Sequence, residues 1–209
     1  MRRSLLSLWL TLSLTGTCLA GASRDFDGSS GSASVTHVSA MSDDTISMAL
    51  WVYSEDAGGE WRGVMVKNRE DGGNADTVYG IWRDDPTPGR WLGRAGIGTD
   101  VCALTTATTD VWTHLALTFT RGGGVTLYVN GASSCSFTAV AGRPVAGANN
   151  FRIGWANFTG TTEYFDGQLA YASLYNRVLS VEEVQQLMFH PGSIVAGRIG
   201  EWGFWGTED

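Results

Sequence analysis

Tryptophans, a few cysteines and scattered acids are the residues of this 209-residue chain that could bind or react. An indole left exposed stacks on a sugar ring or anchors a protein partner. Trp61, Trp82 and Trp91 lie in or beside candidate strands and are expected to form the ligand-binding set. The alternative is that all three fill the interior. Asp27, Asp43, Asp44 and Asp166 are candidates for calcium, which needs several oxygen ligands converging from loops. Asp27 and Asp166 are the preferred metal pair, set against an ordinary turn role for each of these aspartates. No EF-hand loop occurs.

Catalytic patterns are missing. Glycoside hydrolysis needs two carboxylates about 5–10 Å apart across the sugar bond, and the acids here are dispersed. Glu55-Asp56 and Asp84-Asp85 fall in expected loops, and Glu163 stands alone. A G-x-S-x-G nucleophile elbow is absent. His37 and His190 are isolated, which argues against zinc, and His114 reads as a packed strand residue. The expectation is a chain that is not an enzyme.

Met1 to Ala22 reads as a signal peptide. Arg2-Arg3 precede an apolar stretch from Leu5 to Leu14 that is too short to span a bilayer, and small residues follow. The competing reading is a buried N-terminal element that is never cleaved. With the leader set aside, Cys102 and Cys135 remain, and in an exported protein they are expected to form one disulfide, against a pair of free buried thiols. Asn157-Phe158-Thr159 carries a glycosylation triplet, a pattern that also arises by chance. The net charge is −7, and Lys67 is the sole lysine, so no basic patch exists for nucleic acid or an anionic membrane.

Short alternating runs separated by turn residues must position these groups. Candidate strands are Ala33–His37, Thr45–Tyr53, Gly63–Lys67, Val78–Trp82, Arg90–Gly96, Trp112–Thr120, Val125–Val129, Ser134–Thr138, Phe151–Gly154 and Gly167–Tyr175. Between Trp112 and Thr120 the alternation is clean, with Leu115, Leu117 and Phe119 on the expected core side. Arg121–Gly124 and Asn130-Gly131 are hairpin turns, which makes an antiparallel meander. Ser180-Val181-Glu182-Glu183 is a capping box for one short helix that ends before His190-Pro191-Gly192. The fold class is therefore an all-β, two-sheet antiparallel jelly-roll sandwich with a short C-terminal helix.

Four stretches resemble the laminin-G-like jelly roll of the concanavalin-A-like lectin and glucanase group, which includes pentraxins. They are Asp25-Phe26-Asp27-Gly28, Ile46 to Val52, Trp112-Thr113-His114-Leu115-Ala116 through Tyr128-Val129-Asn130-Gly131, and Phe165-Asp166-Gly167 through Leu179-Ser180. Trp51 and Trp112 hold motif positions, so the resemblance implies a structural role for both. Trp61, Trp82 and Trp91 fall where the fold varies most. Two departures stand out. Ala170 replaces a frequent aspartate, and Trp155-Ala156-Asn157 replaces the acidic and amide ligands of the pentraxin calcium pair. The E-x-D-x-x-E pattern of the fold's glucanases is also missing.

The expected organisation is a signal peptide over residues 1–22, a laminin-G-like domain over 23–191, and a tail or further strand over 192–209. The resemblance implies a secreted, extracellular recognition module binding a glycan or an extracellular protein at the sandwich rim or concave face. The second reading is a structural subunit of a surface layer, appendage or virus particle. It rests on Trp202, Phe204 and Trp205, an aromatic tail suited to strand pairing with a second copy as a homo-oligomer.

Overall fold

The computed structural model describes residues 23–56, 61–68, 77–84, 89–95, 101–138, 149–158 and 161–204. The leader expected over residues 1–22 and Trp205 lie outside them. In chain order the strands are β1 (Ser23–Asp27), β2 (Ala33–Val35), β3 (Thr45–Ser54), β4 (Arg62–Asn68), β5 (Thr77–Arg83), β6 (Arg90–Ala95), β7 (Val101–Thr106) and β8 (Trp112–Thr120). They continue as β9 (Gly124–Val129), β10 (Ala132–Thr138), β11 (Phe151–Ile153), β12 (Trp155–Phe158), β13 (Thr161–Tyr164), β14 (Asp166–Tyr175) and β15 (Arg198–Trp202). Helix α1 covers Val181–Phe189.

Among the described residues, two large antiparallel sheets form beside a two-stranded β12–β13 sheet. The seven-stranded sheet runs β1-β14-β3-β8-β9-β10, with β15 also on β14, and the six-stranded sheet runs β2-β11-β4-β5-β6-β7. The expected two-sheet sandwich is observed. Leu115, Leu117 and Phe119 of β8 enter the inter-sheet core with Met48, Leu50 and Val52 of β3, as the alternation requires. Asn130 and Gly131 both take positive φ (51° and 75°), the geometry of a two-residue hairpin turn that matches strand twist.

The capping box forms. The Ser180 hydroxyl accepts from the Glu183 N–H at 3.3 Å, and Glu183 accepts from the Ser180 N–H at 3.0 Å. Arg177 clamps the same carboxylate with two bonds of 2.7 Å. Val184 and Leu187 bury this helix against Ala49, Ala116 and Tyr175, on the outer face of the seven-stranded sheet.

Three departures from expectation have clear causes. Past Gly154, at φ 77°, the chain turns into the β12–β13 hairpin, whose mixed polar sequence gives little strand signal. Strand β7, with its threonine-rich end, pairs with β6 and also went unforeseen. The third concerns the tail. Arg198–Trp202 completes the chain's own sheet by pairing with β14 from Ala172 to Tyr175. Trp202 stacks on Phe151 with centroids 5.9 Å apart, and Phe204 meets the edge of Phe26 at 6.2 Å. These partly buried rings pack against the chain's own core, which corrects the view of the tail as an unfinished strand.

Strand β14 serves two neighbours along one edge, β1 over Asp166–Ala170 and β15 over Ala172–Tyr175. Tyr171, at φ 52°, sits between the two as a bulge.

A candidate ligand face on the six-stranded sheet

Strands β4, β5 and β6 present two faces. Val64, Met65, Tyr79, Ile81, Trp91 and Ala95 point into the main core. Val66, Trp82 and Leu92 point outward and form a second apolar layer with Ala156, flanked by Trp61. A register shift between Gly63 and Met65 turns two successive β4 side chains inward, which resets the alternation. Two glycines permit this layer. A Cβ on Gly80 would stand 2.7 Å from the Trp82 ring, and one on Gly63 would stand 2.5 Å from the Ala156 nitrogen. The β12–β13 hairpin therefore lies directly on β4.

A buried ionic pair sits in this layer. Arg94 is 7% exposed and its guanidinium carbon lies 5.7 Å from the Trp82 ring centroid. Glu163, 6% exposed, accepts a hydrogen bond from the Trp82 side chain and feels the Arg94 charge. Burial pushes the Glu163 carboxyl up to about 7, against the opposing pull of Arg94 and Trp82. On the hairpin's other side, Trp155 and Tyr164 face each other across the two strands with centroids 6.1 Å apart. Arg152 lies over the Trp155 ring at 4.7 Å. The Trp155 Nε1 donor and one Glu163 oxygen are buried with no protein partner. An unmet donor and an unmet acceptor are costly unless a ligand or water supplies the other half.

Beside this face, Arg62 donates to Asp56 at 2.8 Å and to the Gly28 and Tyr164 carbonyls at 3.2 and 3.0 Å. Arg83 is fully buried, 3.5 Å from Asp56, with no hydrogen bond to its guanidinium nitrogens. Burial lowers its pKa, and Asp56 works against that shift. Arg90 donates to Asp84 at 2.9 Å.

The residues singled out in the sequence separate here. Trp82 and Trp61 belong to the outer layer, and of these only Trp61 keeps part of its ring open, since Trp82 is 2% exposed. Trp91 faces the inter-sheet core at 1% exposure, so it leaves the ligand-binding set. Asp27 and Asp166 are register partners across β1 and β14. Asp27 acts as a turn cap: its carboxylate accepts from the Ser29, Ser30 and Gly31 N–H groups and from the Ser30 hydroxyl. These bonds hold its carboxyl far below the usual range. Asp43 accepts from Asn176 at 3.1 Å and Asp44 pairs with Arg121 at 2.7 Å. Among the described residues no three acidic, histidine or cysteine side chains converge as a metal set. Glu163 and Arg94 were not foreseen as a pair. Alternation within Thr161–Tyr164 marks Glu163 as facing opposite to Tyr164, and only the hairpin's docking shows which side is buried.

A family model described as concanavalin A-like lectin/glucanases superfamily matches residues 27–185. Among solved structures, a Bacteroides ovatus protein proposed to bind carbohydrate is 17% identical, with a TM-score of 0.68, over 90% of this chain and 52% of that one. The heptameric SAP-like pentraxin of Limulus polyphemus is 10% identical, with a TM-score of 0.60, over 79% of this chain and 81% of that one. A Trypanosoma rangeli sialidase is 18% identical with a TM-score of 0.65; the match covers 81% of this chain and only 28% of the sialidase. A search of curated proteins finds no match.

At these identities the likeness is one of fold. It corrects the expectation of a chain that is not an enzyme, because chains containing this fold include sialidases, and missing sequence patterns do not exclude catalysis. By its fold and by a family match spanning most of its length, the chain belongs to the concanavalin A-like lectin/glucanase superfamily, in its laminin-G branch.

Proposed function

We propose that this is a secreted carbohydrate-binding module and that the outer face of the six-stranded sheet holds the sugar. One observation carries the assignment: the β12–β13 hairpin on this face holds the partly open Trp155 and Tyr164 rings on one side and the buried Glu163, beside Arg94, on the other, with the Trp155 indole N–H and a Glu163 oxygen each unmatched by protein. Sugars offer an apolar ring face for an indole and hydroxyls that both donate and accept. Fold relatives that include a protein proposed to bind carbohydrate support the reading.

Export is proposed from the leader-like residues 1–22. The Cys102–Cys135 disulfide goes with it, and the contact between β7 and β10, edge strands of opposite sheets, supports that pairing. The test is a glycan array followed by calorimetry on the best ligand, with a glycosidase panel run on the same sugars. Trp155→Ala and Glu163→Gln are each expected to weaken binding about tenfold or more while the protein stays folded. Absence of any glycan binding by folded protein sinks the proposal.

A further inference from the structure

The other outer face carries a second arrangement that the six-stranded face does not need. Helix α1 covers one half of the seven-stranded sheet through Ala49, Ala116 and Tyr175. On the remaining half, register places Trp51 beside His114 and Tyr53 beside Trp112. Trp51 meets the His114 ring at 5.4 Å and Tyr53 meets Trp112 at 5.6 Å, a cross-strand aromatic ladder. Trp51, Tyr53 and Trp112 are all partly open to solvent. His114 is 1% exposed, and its Nδ1 has no protein partner.

The rows beyond the ladder are acidic. Asp25, Gln168, Tyr53 and Trp112 form one row across β1, β14, β3 and β8. The next row, about 7 Å further along the strands, holds Asp27 and Asp166, and past the ends of β3 and β8 come Glu55 and Asp110. The Tyr53 hydroxyl donates to Asp110 at 3.3 Å. Burial and the nearby Asp25, Asp166 and Asp110 raise the Glu55 carboxyl, the mark of a negative field. None of these outward positions carries a basic residue.

We propose that this half-sheet is a second binding surface, for a cationic amino sugar. The ladder is a partly open, flat platform, which suits a flat ring better than a caged ammonium. The acidic rows complement the ammonium that a neutral sugar lacks. One sugar ring on the Tyr53–Trp112 row brings its amine within reach of Asp25 and Asp110.

Calorimetry with glucosamine oligomers and their fully N-acetylated counterparts tests this. Deacetylated oligomers are expected to bind about tenfold more tightly at pH 6, with the difference lost as added salt screens the acids. Trp112→Ala and the pair Asp25→Asn with Asp110→Asn are each expected to remove the preference. Trp112→Phe restores it, and Trp155→Ala leaves it intact. Equal affinity for both oligomers, full competition by tetramethylammonium, or loss in Trp155→Ala but not in Trp112→Ala overturns the proposal. The last result would assign all sugar binding to the six-stranded face.

Discussion

The two outer faces of the sandwich treat their aromatic and titratable groups in opposite ways. On the six-stranded sheet Trp82 is roofed by a hairpin and shares its layer with a buried carboxyl and guanidinium. On the seven-stranded sheet Trp51 and Trp112 stay partly open, and the buried titratable group is a base, His114. Burial disfavours charge in both places, so it raises the acid and lowers the base. The same burial thus gives an acid on one face and a base on the other opposite pH behaviour.

The largest effect expected to sharpen this contrast is on His114. Burial lowers its pKa to about 3 from an ordinary 6.5, so the unfolded chain binds the extra proton across that window. Its contribution is present above pH 6.5 and is lost as pH falls towards 3, by on the order of 4–5 kcal/mol. Urea unfolding of His114→Gln should lack that loss. Parallel stability curves for the variant and the parent between pH 3.5 and 6.5 would show that His114 is not held neutral.

Next in size, Trp82→Ala is expected to cost about 3–5 kcal/mol, because it empties the floor beneath the hairpin. Trp112→Ala, on the open face, should cost about 1 kcal/mol. Thermal or urea midpoints decide between the two, and comparable losses would break the comparison of a covered face with an open one.

Glu163 should show the reverse slope to His114. Its folded pKa of about 7 exceeds its ordinary 4.5, so the folded state holds the extra proton. The stability it supplies is full below pH 4.5 and is lost as pH rises through 7, by about 3 kcal/mol. Glu163→Gln is expected to flatten that decline, as read from unfolding at pH 5 and pH 8. The smallest effect lies away from both faces. Ser180→Ala should cost about 1 kcal/mol through loss of the cap, leaving ligand binding unchanged.

Local rules carried much of this fold. Strict alternation in Trp112–Thr120, the Asn130-Gly131 turn and the Ser180–Glu183 cap each depend on neighbours in sequence, and each is formed. The site was less legible because a period of two separates faces without saying what covers them. Trp91 and Trp82 occupy facing strands, yet one points inward and the other outward, a split that depends on register between β5 and β6. Trp51 and Trp112 read as structural from their motif positions, and the structure leaves both partly open. Glu163 looked isolated because its partners Arg94 and Trp82 come from distant strands. The place of the aromatic tail is hidden in the same way, since Phe151, which receives Trp202, lies far away in sequence.

The edge that β1 and β15 share along β14 also has a kinetic side. β3, at the centre of the seven-stranded sheet, pairs Trp51 with Ala170, and β1 pairs Asp25 with Gln168. Strand β1 waits for a partner more than a hundred residues downstream, while β3 can meet β8 first and gains its second neighbour only with β14. Closing such long loops before any contact rewards them makes folding slow, on the scale of milliseconds to seconds. The β3 edge therefore stays open until β14 is present, and completion of the seven-stranded sheet is a late event.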